Sequence, residues 1–188
     1  MEIVVVINDL EGDGDMDLVA AAAGKLVWVE ELSPGSFVTH YSSDLVATIE
    51  QTSVEDIDGD SDRDVLALSR SGRLLAWNEM EAGAFGEWHI LFAEPAGPAD
   101  VHAADADGDG DQDAFVAAVT NGVIGWYGNS NGAGAFGPFN FIRTEADSVL
   151  AIDAGDLDGD GDMDIVSAEA GHGQLNWMEN NGDGTAWT

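Results

Sequence analysis

Nine consecutive residues, Asp156-Leu157-Asp158-Gly159-Asp160-Gly161-Asp162-Met163-Asp164, place a carboxylate at every odd position. Two unit charges about 4 Å apart repel by roughly 1 kcal/mol in water and by several-fold more at a protein surface, so five carboxylates in one turn push it open. A hard divalent cation reverses that sign. Ca²⁺ takes 6–8 oxygen ligands in a forgiving geometry and favours carboxylates and backbone carbonyls. The first, third, fifth and ninth residues are expected to bind through their side chains and the seventh through its backbone carbonyl, with water completing the shell. The glycines let the turn close tightly enough for alternate oxygens to converge. An EF-hand loop would end in a bidentate Glu at its twelfth position. Here that residue is Ser167, inside the apolar run Ile165-Val166-Ser167-Ala168, which reads as a buried strand.

The same arrangement occurs three more times. Asp9, Glu11, Asp13, Asp15 and Asp17 repeat it with Glu in third place; Asp56, Asp58, Asp60, Asp62 and Asp64 repeat it with Ser61 for the second glycine; Asp105, Asp107, Asp109, Asp111 and Asp113 match in full. All of these, with Asp156, Asp158, Asp160, Asp162 and Asp164, are candidate metal ligands, implying about four Ca²⁺, one per repeat. The leading aspartates stand 47, 49 and 51 residues apart. A period of that size indicates a solenoid, a propeller or an array of small units.

Each loop must be held between strands. Ile3 to Ile7, Ile49 to Val54, Asp100 to Ala104 and Ser148 to Ala154 precede the loops. Leu18 to Ala23, Val65 to Leu68, Ala114 to Val119 and Ile165 to Ala168 follow them, apolar enough to be covered on both faces. Beyond a glycine-bearing turn, Leu26/Trp28, Leu75/Trp77, Ile124/Trp126 and Leu175/Trp177 put an aliphatic residue and a tryptophan on one face of a third strand. Four tryptophans in register are expected in a core between neighbouring sheets, where each is worth a few kcal/mol. Glycine-rich turns with an aromatic (Gly35-Ser36-Phe37, Gly83-Ala84-Phe85, Gly134-Ala135-Phe136, Gly184 to Trp187) open a fourth strand. Pro34, Pro95, Pro98 and Pro138 fall in turns or at strand ends. No stretch keeps a 3.6-residue period, so no helix is expected.

Each repeat is therefore four short antiparallel strands with the acidic loop joining the first to the second, the pattern of a β-propeller blade. The predicted blades cover about 1–44, 45–95, 96–145 and 146–188, the last cut short in its outer strand. The D-x-D-G-D-G-x-x-D loop, the Trp177-Met178-Glu179-Asn180 strand end and the G-x-G-x-F turn resemble FG-GAP-like, or VCBS, repeats, similar to the calcium-binding blades of the integrin α-subunit head. The resemblance covers almost the whole chain, departing at Glu11, at Ser61 and at Tyr127-Gly128, which replace the Glu-Asn pair in the third repeat. It implies rings of about seven blades in the best-known members. Four blades are expected to form a partial propeller, a fragment of a larger ring or an array that closes by self-association through its open edges; a closed four-bladed ring is the second choice.

The balance of the chain narrows its partners. Its formal charge is −32, from 37 acidic and 5 basic residues. Filling four loops with Ca²⁺ leaves about −24. Nucleic acid is excluded, because phosphate binding needs clustered Lys and Arg, and an anionic membrane surface is disfavoured for the same reason. The acidic excess reads as solubility in preference to a patch for a basic partner. No run approaches a membrane span, and the start at Met1 lacks a basic, then apolar, leader pattern, as expected of a mature form, a fragment or a cytoplasmic protein. Zero cysteines exclude disulfides and thiol chemistry. Loops of modest affinity suit millimolar extracellular calcium, so an extracellular or cell-surface location is expected. His40, His89, His102 and His172 are scattered without a repeat-related acid or nucleophile, and read as surface or packing residues. The expected function is non-catalytic binding or adhesion to a protein or carbohydrate; the alternatives are an accessory domain of a secreted hydrolase or lyase, or a purely structural repeat.

Overall fold

The computed structural model describes residues 5–22, 24–45, 47–81, 83–92 and 97–188, with the side chains of Ala22 and Phe92 left aside. The expected first-strand residues Ile3 and Val4, Ala23 at the end of the second, and Pro95 lie outside this set. The chain divides into two compact units, Met1–Phe92 and Ala93–Thr188. All regular structure among the described residues is β.

In the first unit, β1 (Val5–Asn8), β2 (Asp17–Ala22), β3 (Lys25–Ser33) and β4 (Ser36–Tyr41) form one antiparallel sheet in chain order, and β5 (Gln51–Glu55), β6 (Asp64–Ser69), β7 (Leu74–Met80) and β8 (Phe85–Phe92) form the next. In the second unit, β9 (Pro98–Ala104), β10 (Asp113–Ala118), β11 (Val123–Tyr127) and β12 (Phe139–Arg143) repeat the pattern. Three strands, β13 (Val149–Gly155), β14 (Asp164–Glu169) and β15 (Gln174–Met178), make the last sheet. A fourth strand begins there as the Asn180–Trp187 bridge and the reciprocal pairing of Glu179 with Thr188. This is the propeller-type array the repeats predict.

Each acidic loop leaves the first strand of its sheet, and its ninth residue opens the second strand. Asp17, Asp64, Asp113 and Asp164 are thus both loop ends and strand starts. Strand alternation then sends successive residues to opposite faces. In the first unit Val19, Ala21, Leu26 and Trp28 of one sheet pack against Val54, Val65, Ala67 and Met80 of the next, with Leu10 from the loop sealing the edge. In the second, Phe115, Ala117, Ile124 and Trp126 pack against Ile152, Ile165 and Met178.

Two expectations need correction. In the third repeat the Gly134-Ala135-Phe136 turn does not open the fourth strand, which starts at Phe139. Pro138 has no N–H to donate to a ladder, and the Gly137 N–H is already spent on the Gly128 carbonyl at 2.7 Å. The tryptophans also divide. Trp28, Trp77 and Trp126 are buried, at 1, 2 and 5% exposure, whereas Trp177 is 47% exposed, because no described element covers that face of the last sheet.

Candidate metal centres

The loops are built by their own carboxylates capping their own amides. In the third, Asp105 Oδ1 accepts the Gly108 N–H at 2.8 Å and Oδ2 accepts that of Gly110 at 2.9 Å; the Asp109 and Asp111 amides donate to the carboxylates two residues before them. The second and fourth loops repeat the pattern, with Asp56 holding Gly59 and Ser61, and Asp156 holding Gly159 and Gly161. The fold-back needs positive φ at the fourth and sixth residues. Glycine supplies it everywhere except at Ser61, which is held at φ 81°.

The ninth aspartate closes each turn. Asp113, 1% exposed, accepts Ala106 N–H on Oδ2 at 2.8 Å and Asn129 N–H on Oδ1 at 2.7 Å. Asp64 holds Ile57 and Met80 in the same way, Asp164 holds Leu157 and Asn180, and Asp17 holds Leu10 and Glu31. Each clasp ties the loop to the far end of the third strand. Neighbouring repeats are also joined within a unit: Arg63 N–H of the second loop donates to Leu10 O of the first at 3.0 Å, and Asn180 Nδ2, beyond the third strand of the last sheet, donates to Ala106 O of the third loop at 2.9 Å.

This folding brings carboxylates together. Asp56, Asp58 and Asp64 each offer an oxygen within 4.8 Å of the others, as do Asp105, Asp107 and Asp113, and Asp156, Asp158 and Asp160; each group could hold a metal ion. Asp60 and Asp109 stand close enough to act on the carboxylates around them. In the fourth loop the third member of the trio is Asp160, where the second and third loops have the ninth aspartate. The seventh residue takes a different direction in two loops. The Asp111 carboxylate lies against Gly132 and that of Asp162 against Gly182, in each case where a Cβ would stand. In the first loop Glu11 lies beside Asp13 and Asp17, and no convergent trio forms; Asp9 caps Asp13 and Gly14, and Asp13 caps Asp15.

The electrostatics record the crowding. Burial, then the neighbouring carboxylates, pushes Glu11 up to about 8, and both Glu11 oxygens are shielded from solvent without a hydrogen-bond donor. Burial pushes Asp64 and Asp113 up to about 7, against the pull of the two amides each holds and with Asp58 and Asp60, or Asp107 and Asp109, adding to the rise. Desolvation followed by adjacent carboxylates also raises Asp107, and Asp58 likewise. Buried carboxylates with unused lone pairs, facing other carboxylates, fit a hard cation. The donor set is oxygen throughout, which suits Ca²⁺ or Mg²⁺ and not a thiolate- or imidazole-seeking metal.

Sequence reasoning missed the clasp made by the ninth aspartate and the role of Asn180; the invariant placement of an acid at the first residue of a strand was the available signal. It also missed two Trp–His–Glu stacks. His40 lies 4.5 Å from Trp28 and pairs with Glu30 at 2.6 Å, and His89 lies 4.3 Å from Trp77 and pairs with Glu79 at 3.1 Å. Both are packing arrangements on outer strands.

The fold has clear counterparts. An Agrocybe aegerita lectin, described in terms of specific recognition of non-reducing terminal N-acetylglucosamine, superposes with a TM-score of 0.72 at 20% identity, over 100% of this chain and 51% of that one. A chain from the crystal structure of BBS1N in complex with ARL6DN, soaked with lead, superposes with a TM-score of 0.59 at 17% identity, over 93% of this chain and 50% of that one. The chain therefore spans about half the length of these structures. Comparison with curated proteins returns no match. The FG-GAP-like repeat matches three times, at residues 9–66, 56–116 and 107–167, so its loops and sheets together run through most of the sequence, and the chain belongs to the FG-GAP-like repeat family.

Proposed function

We propose that this β-propeller repeat module is an extracellular, non-catalytic glycan-binding unit whose loops are held in shape by about four calcium ions, one per sheet. The observation that carries the calcium reading is the recurrent convergence of three carboxylate oxygens within 4.8 Å, in loops that already use their amides for internal caps. Such a cluster is repulsive when ionised, and a bound cation offsets that repulsion. Asp56, Asp58 and Asp64, Asp105, Asp107 and Asp113, and Asp156, Asp158 and Asp160 would form the first ligands at three sites; Glu11, Asp13 and Asp17 would hold the fourth. The ion supplies charge neutralisation and fixes the loop. The loops in turn present a rigid rim between the strands.

The glycan reading is supported by the likeness to the Agrocybe aegerita lectin. At 20% identity that likeness gives a candidate ligand class and no residue assignments. The four histidines support a non-catalytic reading, since His40 and His89 are stacked on tryptophan and His102 and His172 pair with Asp153 and Asp147 at 3.7 and 3.3 Å. A glycan array probed with labelled protein, once in millimolar Ca²⁺ and once in chelator, tests the proposal. Calcium-dependent binding to a defined set of glycans, terminal N-acetylglucosamine among those displayed, is expected. Absence of binding to every glycan by protein shown to be folded and calcium-loaded would overturn the glycan reading and leave the calcium reading standing.

A further inference from the structure

Asparagine stands directly before glycine at Asn121-Gly122, Asn131-Gly132 and Asn181-Gly182. The pairing has an intrinsic reactivity. The glycine amide nitrogen, with no Cβ beside it to hinder approach, can attack the Cγ of the preceding asparagine and close a cyclic imide. A bond forms between that nitrogen and Cγ, the Cγ–Nδ2 bond breaks, and Nδ2 departs as ammonia, taking up through solvent the proton that the attacking amide gave up. Water then opens the ring at either carbonyl, leaving an aspartate or its β-linked isomer, whose backbone is longer by a methylene. No oxidant, reductant or enzyme is required.

The three pairs share the same glycine neighbour, but the fold treats them differently. Gly182 N–H donates to Asn180 Oδ1 at 3.2 Å, and Asn181 Oδ1 accepts the Ala186 N–H at 2.9 Å. Gly132 N–H donates to Asn129 O at 3.1 Å, and Asn131 Oδ1 accepts the Ala133 N–H at 3.3 Å. In both pairs the attacking amide and the carboxamide are each held by a hydrogen bond that must open before the ring can close. Asn121 is exposed in the turn between β10 and β11, and among the described residues neither its carboxamide nor the Gly122 N–H makes a hydrogen bond. In the matching turns of the second and fourth sheets that amide is engaged, Arg73 N–H with Arg70 O at 3.4 Å and Gly173 N–H with Ala170 O at 3.3 Å. Gly122 is anchored through its carbonyl, which accepts the Ala146 N–H at 2.8 Å.

We propose that Asn121 is a site of spontaneous deamidation, reacting ahead of Asn131 and Asn181, and that the change loosens the junction between the third and fourth sheets. Ala146, 5% exposed, belongs to the core those two sheets share. Gly122 lies so close against the Ala146 backbone that a Cβ would have no room there. A β-linked residue at position 121 lengthens the turn beside this clip and draws Gly122 O away from Ala146 N–H. The aspartate product keeps the backbone path and adds a negative charge to a chain already at −32.

The test is peptide mass spectrometry of the chain held in calcium buffer at mildly alkaline pH and sampled over time, folded and, in parallel, in denaturant. In denaturant the three sites should convert at similar rates. In the folded protein Asn121 should convert first, with Asn131 and Asn181 slower by about tenfold, the effect of the hydrogen bonds that must open. Aged unmodified protein should have a lower denaturation midpoint than fresh protein, and Asn121→Ser, which has no amide to lose, should show no such decline. Conversion led by Asn131 or Asn181 in the folded state, equal protection of all three sites, or no conversion at Asn121 would overturn the proposal. A decline as large in Asn121→Ser as in the unmodified chain would overturn the link to the sheet junction.

Discussion

The third loop holds Asp113 with amides at 2.8 and 2.7 Å, and its Asp105, Asp107 and Asp113 oxygens converge. In the first loop Asp17 holds its amides at 3.4 and 3.0 Å, Glu11 replaces the third aspartate, and no trio converges. At that place the Glu11 carboxylate lies beside Asp17, with both oxygens shielded from solvent and without a hydrogen-bond donor. The comparison separates two tasks that a single aspartate performs in the other loops. The ninth residue clasps two backbone amides in all four loops. The third residue differs: Asp58, Asp107 and Asp158 each accept the amide two residues on, whereas the Glu11 oxygens find no donor and are left for a cation.

The largest effect should come from removing that cation everywhere. Each site filled at a hundred times its Kd contributes about 2.7 kcal/mol to folding, so chelation should lower stability by several kcal/mol in denaturant titrations. Superimposable curves in calcium and in chelator would erase the distinction between clasp and cation.

Removing one clasp should cost less. Asp113→Ala strands two buried amides and is expected to cost about 3 kcal/mol even in chelator, since charge-assisted hydrogen bonds are worth roughly 1.5–3 kcal/mol each. Asp17→Ala, with the longer bond to Leu10, should cost less than Asp113→Ala. Equal losses would mean that the two loops do not differ as described.

A third prediction concerns pH. Metal-free Glu11, at about 8, and Asp64 and Asp113, at about 7, all titrate above their ordinary values of 4.5, 3.8 and 3.8. The folded state therefore binds these protons more tightly than the unfolded chain does. The contribution is fully present below about pH 4 and is lost as pH rises through 7 to 8. Melting temperature in chelator should fall across that window. Protons compete with the cation for the same oxygens, so calcium affinity should rise across it. A chelated protein that gains stability between pH 5 and 8 would contradict the crowding.

The smallest effect lies in the second loop. Ser61 occupies a glycine conformation at φ 81°, so Ser61→Gly should raise stability by about 1 kcal/mol by denaturant titration.

The sheets were legible in the sequence because the loop, the tryptophan and the glycine turn recur in fixed phase, and each marks a strand boundary. The convergence of Asp105, Asp107 and Asp113 was legible too, since alternate residues of a tight turn point inward. What the sequence concealed depends on neighbours far along the chain. Nothing local distinguishes Trp177 from Trp28; their difference in exposure comes from the sheet that covers one and not the other. The clasp joins Asp113 to Asn129, sixteen residues away, and becomes visible only when the third strand returns beside the loop. The late start at Phe139 follows from a backbone bond between Gly137 and Gly128 that no periodicity announces.

Isothermal titration of calcium into chelator-stripped protein tests the central claim most directly. About four ions per chain are expected, falling by one in Asp107→Ala while the fold is retained. A stoichiometry of zero, or one unchanged by that substitution, would contradict the assignment of the acidic loops as cation sites.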